Sequence, residues 1–242
     1  MIKYDKDRIS LDYFYKNRVK IFQNKKGYRF SVDSPILADF IPPSKYKGLE
    51  IGSGSGIISL LLLFRKKLPF ITGIEIQKDL FELSKMSVEE NSLKDQFDVI
   101  NADFSDIYSE YSGIMNIFSN PPYLKTGMGH LSRNVEVRKG KFEIDIDLEK
   151  IVGMSSSIMG KGGSLFLILP YDRFKELIDL SGQYGLFPVR LRKVLSFTDG
   201  KPERFLIQLT NYKDDLKENS PLIIYHSVGV YSDEMEDILA GR

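Results

Sequence analysis

Four short segments of this 242-residue chain combine residue types and spacings that suit chemistry on a nucleoside. The first is Asn120-Pro121-Pro122-Tyr123, which follows an apolar run at residues 114–118. Two successive prolines cannot continue a sheet, so the segment is a rigid strand-ending turn. They also leave carbonyls without a matching N–H donor. The Asn120 side-chain oxygen and the Pro121 carbonyl can then accept both hydrogens of an exocyclic amino group. That arrangement aims the nitrogen lone pair at the group it attacks, and Tyr123 can stack on the planar target. Such a site works by positioning and electrostatics. It needs no general base, which suits a chain whose histidines are His130 and His226 alone. A turn that only ended a strand would use the prolines but neither the Asn nor the Tyr.

The second segment is Glu50-Ile51-Gly52-Ser53-Gly54-Ser55-Gly56, a glycine-rich turn between an apolar run and a Leu-rich one. Glycines there let the backbone turn sharply and approach a ligand closely. The dinucleotide fingerprint G-x-G-x-x-G would need glycine at position 57, where Ile57 stands. Gly160-Lys161 is followed by Gly162, so no phosphate loop of the G-K-[ST] type is present, and no G-x-S-x-G elbow occurs. The third segment holds Glu75-Ile76, 25 residues beyond Glu50 and at the end of a second apolar run. A carboxylate in that position can accept both ribose hydroxyls of a nucleoside. The fourth is Asn101-Ala102-Asp103-Phe104, where Asp103 serves equally as a helix N-cap. Three acids ending three successive strands make a consistent nucleoside pocket.

Composition narrows the classes. With no cysteine, disulfides, thiolate zinc sites and thiol nucleophiles are absent, and neither an H-E-x-x-H motif nor a histidine cluster offers a metal site. The apolar run at 57–64 is far shorter than the roughly 20 residues a membrane helix needs. The N-terminus carries no signal-peptide pattern. A cytoplasmic protein without membrane or metal is expected. Net charge is +1, so bulk charge alone would not hold nucleic acid. The charge is uneven, however: residues 1–30 carry nine Lys/Arg against three Asp/Glu, and residues 211–242 carry three against seven. Tyr4, Tyr13, Phe14, Tyr15, Phe22, Tyr28 and Phe30 interleave with the N-terminal cations, a mixture that suits nucleic-acid contact or a solvated face with its aromatics packed inward.

These segments must be positioned by alternating elements. Strands are expected at 47–51, 70–74, 97–100, 114–118 and 164–169, and helices at 57–65, 79–91, 148–159 and 174–184. Such alternation builds a mostly parallel sheet. Two further β runs, 186–197 and 205–210, are joined by a short turn with no helix, so they must pair antiparallel. Residues 1–46 and about 124–146 fall outside the alternation, and long irregular segments of this kind are usually functional or disordered.

The acid-x-G-x-G-x-G turn resembles motif I of S-adenosylmethionine-dependent methyltransferases, and Asn120 to Tyr123 looks like the N-P-P-Y motif of amino-methyltransferases. The runs Val19-Lys20-Ile21-Phe22-Gln23 and Gly27 to Ala38, with the tail Pro221 to Tyr225 and Tyr231, are similar to the tRNA(Val) adenine-N6 methyltransferase family, so the resemblance spans nearly the whole chain. Residues 135–144 match that family only loosely, and Pro35 stands where a helix former is commoner. The resemblance implies a Rossmann-like class I α/β fold, with an open, mostly parallel seven-stranded sheet and an antiparallel end strand. It divides the chain into an N-terminal segment, 1–46, over the cofactor pocket and a catalytic domain, 47–242. It further implies S-adenosyl-L-methionine as cofactor, held by Glu50, Gly52, Gly54, Glu75, Ile76, Ala102, Asp103 and Asn120. Glu50 would support the methionine end, and Asp103 would accept from the adenine amino group with Phe104 against the ring. Phe30 and Asp33 are further candidates for cofactor contact. The catalytic set would be Asn120, Pro121, Pro122 and Tyr123. The implied substrate is an adenine N6 amino group in RNA, most readily tRNA, with residues 124–144 as a substrate loop and the protein acting as a monomer. Glutamine-N5 methylation of protein, another RNA or DNA amino-methylation, and a non-catalytic RNA-binding module remain alternatives.

Overall fold

A computed structural model describes residues 4–27, 29–122 and 147–242. The chain enters through an antiparallel hairpin, β1 (Ile9–Phe14) and β2 (Val19–Asn24), followed by α1 (Asp33–Phe40). The alternating body follows: β3 (Gly48–Ile51), α2 (Ile57–Phe64), β4 (Ile71–Glu75), α3 (Lys78–Glu90), β5 (Phe97–Asn101), the one-turn α4 (Phe104–Ile107) and β6 (Ile114–Ser119). After the undescribed stretch come α5 (Leu148–Ile158), β7 (Met159–Pro170), α6 (Phe174–Gln183), β8 (Phe187–Leu195), β9 (Arg204–Thr210) and β10 (Lys217–Ile223). A small hairpin, β11 (Tyr225–Ser227) and β12 (Val230–Tyr231), leads into α7 (Asp233–Ala240).

The α/β class is as expected, and the sheet has eight strands rather than seven, in the order β10-β8-β9-β7-β6-β3-β4-β5. Strands β3 to β7 are parallel. Strand β9 runs antiparallel between β7 and β8, as the short 196–203 connection requires. The extra strand β10 adds to the edge parallel to β8, with a register shift between Asn219 and Leu222 around Pro221. Its polar sequence, KENSPLI, carries no alternation, and proline is tolerated there because an edge strand needs fewer donors. Strand β7 starts at Met159, five residues before the expected 164. The glycines of this extension carry the contact: a Cβ on Gly163 would lie 2.8 Å from the Ile114 carbonyl of β6.

The chain first builds outward from β3 to β4 and β5, then returns to β6 and β7 on the other side. The carboxyl ends of β3 and β6 therefore flank the switch point at which open α/β sheets bind ligands. Two apolar layers cover the sheet. Helix α2, IISLLLLF, is buried along most of its length on one face, and α5 and α6 bury Ile151, Val152 and Leu177 on the other.

The N-terminal segment is pinned to this body. Asn91, after α3, donates to the Lys20 carbonyl at 2.6 Å and accepts the Lys20 N–H at 3.0 Å, so its amide acts as a strand partner for β2. The Ser87 hydroxyl of α3 accepts the Phe22 N–H at 3.0 Å. Tyr15, Val19 and Ile21 join the core formed by α1, α2 and the sheet. Helix α1 is fixed at its C-terminus by buried Lys67, whose Nζ donates to the carbonyls of Ala38, Asp39 and Ile41 at 2.9, 2.6 and 2.8 Å. A cation suits the negative end of a helix. Burial nevertheless holds the Lys67 amine well below its ordinary range, at about 8, with Arg65 and Arg190 adding repulsion.

Candidate active site

The four segments singled out by sequence lie at the carboxyl ends of four neighbouring strands, β5, β4, β3 and β6. The glycine turn follows β3 and hangs on the end of β4, because Gly52 N–H and Ser53 N–H both donate to the Ile74 carbonyl, at 2.9 and 3.0 Å. Gly52, Gly54 and Gly56 have φ of +69°, +57° and +86°, the left-handed region that favours glycine. Two of them serve different ends. A Cβ on Gly52 would meet nothing within 4 Å, so its backbone borders open space. A Cβ on Gly56 would lie 2.5 Å from Ser84 Oγ and 3.0 Å from the Phe97 ring, so this glycine lets α2 begin hard against α3 and β5.

The acids divide by environment. Glu50, 1% exposed in β3, accepts a hydrogen bond from the Ser59 hydroxyl of α2. Burial pushes its carboxyl up to about 8; the Ser59 bonds oppose this and the charge of Glu75 adds to it. Glu75 is 3% exposed at the end of β4, and its two oxygens accept the N–H groups of Gly54 and Gln77 at 2.7 and 2.8 Å. Burial raises its carboxyl too, against those backbone donors. The carboxylate thus braces the glycine turn from behind. Ile76 beside it is an exposed apolar side chain at the rim. Asn101 donates to the carbonyls of Glu75 and Ile76, and Ala102 N–H donates to the Glu75 carbonyl, locking the ends of β4 and β5 together.

Asp103 caps α4: its Oδ1 accepts both the N–H and the hydroxyl of Ser105, at 2.8 and 2.7 Å. Among the described residues Oδ2 has no partner, so the cap leaves one oxygen for a ligand. Phe104, the candidate for ring contact, is 3% exposed and packed in the core, with Tyr108 edge-on at 6.2 Å. Its ring offers little surface to a ligand, because the apolar face of α4 must turn inward.

Asn120 follows β6 half-buried, with Pro121 buried and Pro122 exposed. Its Nδ2 faces Ser34 Oγ of α1 at 3.4 Å. Tyr123, His130 and residues 124–144, the expected substrate loop, lie outside the described residues. Ser34 and its neighbours were not singled out as a support for Asn120. Asp33, 1% exposed, is held by Arg204 at the start of β9, whose Nε lies 2.8 and 2.9 Å from the two carboxylate oxygens. The helix N-cap is Val32, and Pro35 falls in the first turn, where a missing N–H costs nothing. Phe30 packs on Phe14 with ring centroids 5.2 Å apart. A contact between residues 171 apart leaves no local trace in sequence, whereas the D-S-P start of a helix does.

Comparison with known proteins places this geometry. The chain is 31% identical over 195 residues to the tRNA1(Val) (adenine(37)-N6)-methyltransferase of Porphyromonas gingivalis, covering 77% of this chain and 75% of that one. The enzyme of the same name from Bacteroides fragilis is 24% identical over 230 residues, 93% of this chain and 95% of the other. This chain belongs to the same family of S-adenosylmethionine-dependent methyltransferases. No family model matches it. Among solved structures, a predicted O-methyltransferase from Agrobacterium tumefaciens superposes with a TM-score of 0.66 at 21% identity, over 86% of this chain and 96% of that one. The M. jannaschii tRNA m1G37 methyltransferase superposes with a TM-score of 0.59 at 15% identity, over 87% and 57%. At these identities the likeness is one of fold.

The residues present fit the family's cofactor. The open space before Gly52 admits a ligand against bare backbone, and the first N–H groups of α2 point toward the same turn. Buried carboxylates end β3 and β4, which suits a ligand carrying an ammonium, a sulfonium and ribose hydroxyls.

Proposed function

We propose that this protein methylates the N6 amino group of an adenine in tRNA, with Gly52, Gly54, Glu50, Glu75, Ile76, Ala102 and Asp103 around the cofactor and Asn120 to Tyr123 around the target. The observation that carries the reading is the Asn120-Pro121-Pro122 turn at the end of β6, next to the glycine turn of β3 across the switch point. The curated relatives, named for adenine 37 of tRNA1(Val), support the substrate class.

When bound, S-adenosylmethionine supplies a methyl on a sulfonium whose leaving group is a neutral thioether. The chain's own part is to aim the nucleophile. Ser34 Oγ faces Nδ2 of Asn120, which suits the use of Oδ1 as the acceptor for the target. Oδ1 and the Pro121 carbonyl then accept the two amino hydrogens, which localises the nitrogen lone pair in line with the methyl. Receipt of that methyl would leave a positive charge on the nitrogen. The same two acceptors stabilise that charge until a proton leaves to solvent. In this reading Glu75 would accept from the ribose beside its two backbone donors, and Oδ2 of Asp103 from the adenine amino group of the cofactor. The N-terminal segment, through α1, closes the side of the pocket next to Asn120.

The test is transfer of label from S-adenosylmethionine to separate pools of unmodified tRNA, rRNA, duplex DNA and protein, followed by nucleoside digestion. Label recovered from tRNA as N6-methyladenosine is the expected result. Label confined to protein would replace this reading with glutamine methylation.

A further inference from the structure

Between the β1–β2 turn, the start of α1 and the last helix α7 lies a cleft of about 400 Å³ that the chemistry at Asn120 does not use. That volume is in the range of small-ligand clefts, ~300–1,000 Å³. Its walls include Tyr13, Phe14, Lys16, Phe30, Pro35 and Tyr231. Three features mark it as built to take a ligand.

The first is aromatic surface without a partner. Tyr13 is 49% exposed although it sits in a strand. Tyr231 is backed by Tyr225, stacked at 5.2 Å and 14°, and Phe14 is backed by Phe30. Phe14, Phe30 and Tyr231 are thus wall rings partly buried against the core, and Tyr13 is the exposed ring at the rim.

The second is the turn itself. Tyr15, Lys16 and Asn17 have φ of +50°, +57° and +66°, three consecutive non-glycine residues in the left-handed region. This conformation costs about 1 kcal/mol or more per residue and persists only where the surroundings impose it. The anchor is Tyr15, 1% exposed, whose ring packs on Phe64 at 5.7 Å and against Gly241, where a Cβ would come within 2.6 Å of it. The result of that strain is a fixed place for Lys16 at the cleft wall.

The third is charge. Lys20 and Arg29 of the hairpin are taken by Glu90 and Asp12. Lys16, on the cleft wall, has no ion-pair partner among the described residues, whereas Arg8, Lys25 and Lys26 lie at the far end of the hairpin, beyond the Ile9–Asn24 pair. From α7 the cleft is walled by Leu239, and the first turn of that helix carries Asp233 and Glu236, without an ion-pair partner among the described residues, so the helix side disfavours a phosphate. A ligand with one anionic and one aromatic end is thus oriented, phosphate on the hairpin and ring toward the aromatics.

The cleft also adjoins the reaction. Val32 and Pro35 line it, and Ser34 between them faces Asn120. We infer that this cleft docks an unpaired nucleotide flanking the methylated one in the RNA strand, its base stacked on Tyr13 and its phosphate held by Lys16. The inference rests on the RNA reading above and adds to it the surface that grips the strand.

The test measures binding of a labelled tRNA transcript to the full-length protein, together with S-adenosylmethionine affinity and steady-state methylation. A base–aromatic stack of ordinary strength predicts that Tyr13→Ala weakens RNA binding and raises KM for RNA by about 10-fold, with kcat and cofactor affinity within about twofold. Tyr13→Phe should retain wild-type binding, because the stack needs the ring and not the hydroxyl. Lys16→Ala should lower the slope of log affinity against log salt by about 0.7, the loss of one single-strand phosphate contact. If the wild-type protein methylates tRNA while Tyr13→Ala and Lys16→Ala bind it unchanged, the cleft is not the docking site and the assigned activity stands. If the wild-type protein neither binds nor methylates RNA, the substrate reading falls and the cleft with it. If Tyr13→Phe fails as badly as Tyr13→Ala, the stacking argument is overturned.

Discussion

Replacing Glu50 with glutamine should stabilise the free protein and weaken its hold on the cofactor, by amounts that depend on pH. Glu50 is buried, and burial moves its carboxyl from 4.5 to about 8. Below pH 4.5 the group is protonated whether the chain is folded or not. Above that value the unfolded chain releases its proton while the folded chain retains it, so stability present at low pH is lost as pH rises toward 8. The gap corresponds to about 3 kcal/mol at pH 7 and about 5 kcal/mol above pH 8, as a ceiling. Glutamine keeps the shape and a hydrogen bond to Ser59 but cannot ionise. Urea unfolding of both proteins should therefore give nearly equal stabilities near about pH 4.5 and a variant more stable by a few kcal/mol near about pH 8.5. A cationic ligand next to Glu50 favours the ionised carboxylate. Wild-type affinity for S-adenosylmethionine should accordingly rise with pH up to about 8, and the glutamine variant should bind more weakly with no such rise. An equal stability difference at the two pH values would refute the account of Glu50 as a carboxyl strained by burial.

Asn120→Ala should lower kcat by about 100-fold or more with cofactor affinity nearly intact, since it removes an acceptor for the amino hydrogens; single-turnover methylation beside cofactor titration separates the two. Gly56→Ala should destabilise by more than about 1 kcal/mol in urea, because it combines φ of +86° with a Cβ 2.5 Å from Ser84 Oγ. Lys67→Met should cost about 2–3 kcal/mol near pH 7, because it leaves three buried carbonyls of α1 without their donor. The wild-type protein should gain stability from Lys67 as pH rises from about 8 to 10.5, where the unfolded chain binds the proton that the folded chain has lost. The methionine variant should lack that gain.

The parallel half of the sheet, and the edge at which the candidate residues meet, were legible in sequence for a local reason. Each of those strands is a short apolar run closed by a chemically distinctive turn, so pattern and punctuation coincide at Glu50 to Gly56, at Glu75, at Asp103 and at Asn120. Where that coincidence failed, so did the reading. Strand β10 is polar because it is an edge with one neighbour, and nothing in KENSPLI alternates. The glycine extension of β7 looks like a loop because its contacts run through backbone and not side chains. Phe104 reads as a ligand contact beside Asp103, yet a one-turn helix has to turn its apolar residues, Phe104 and Ile107, to the core. The support of α1 was invisible, since Arg204, Lys67 and Arg190 reach it from distant segments.

That support has a logic of its own. Helix α1 is short, and its first turn carries Ser34 to the half-buried Asn120. Fraying there would release Ser34 from the Asn120 side chain that it faces. The chain clamps both ends instead. Arg204 holds Asp33 at the N-terminus, while at the C-terminus Lys67 takes three carbonyls and Arg190 lies 3.9 Å over the Phe40 ring and donates to the Phe40 carbonyl. Two of these cations carry the cost of burial, Lys67 and Arg190 both being pushed below their ordinary range. A fold selected for stability alone would place apolar side chains there. Charges at both ends instead fix α1, and Ser34 with it, against the end of β6.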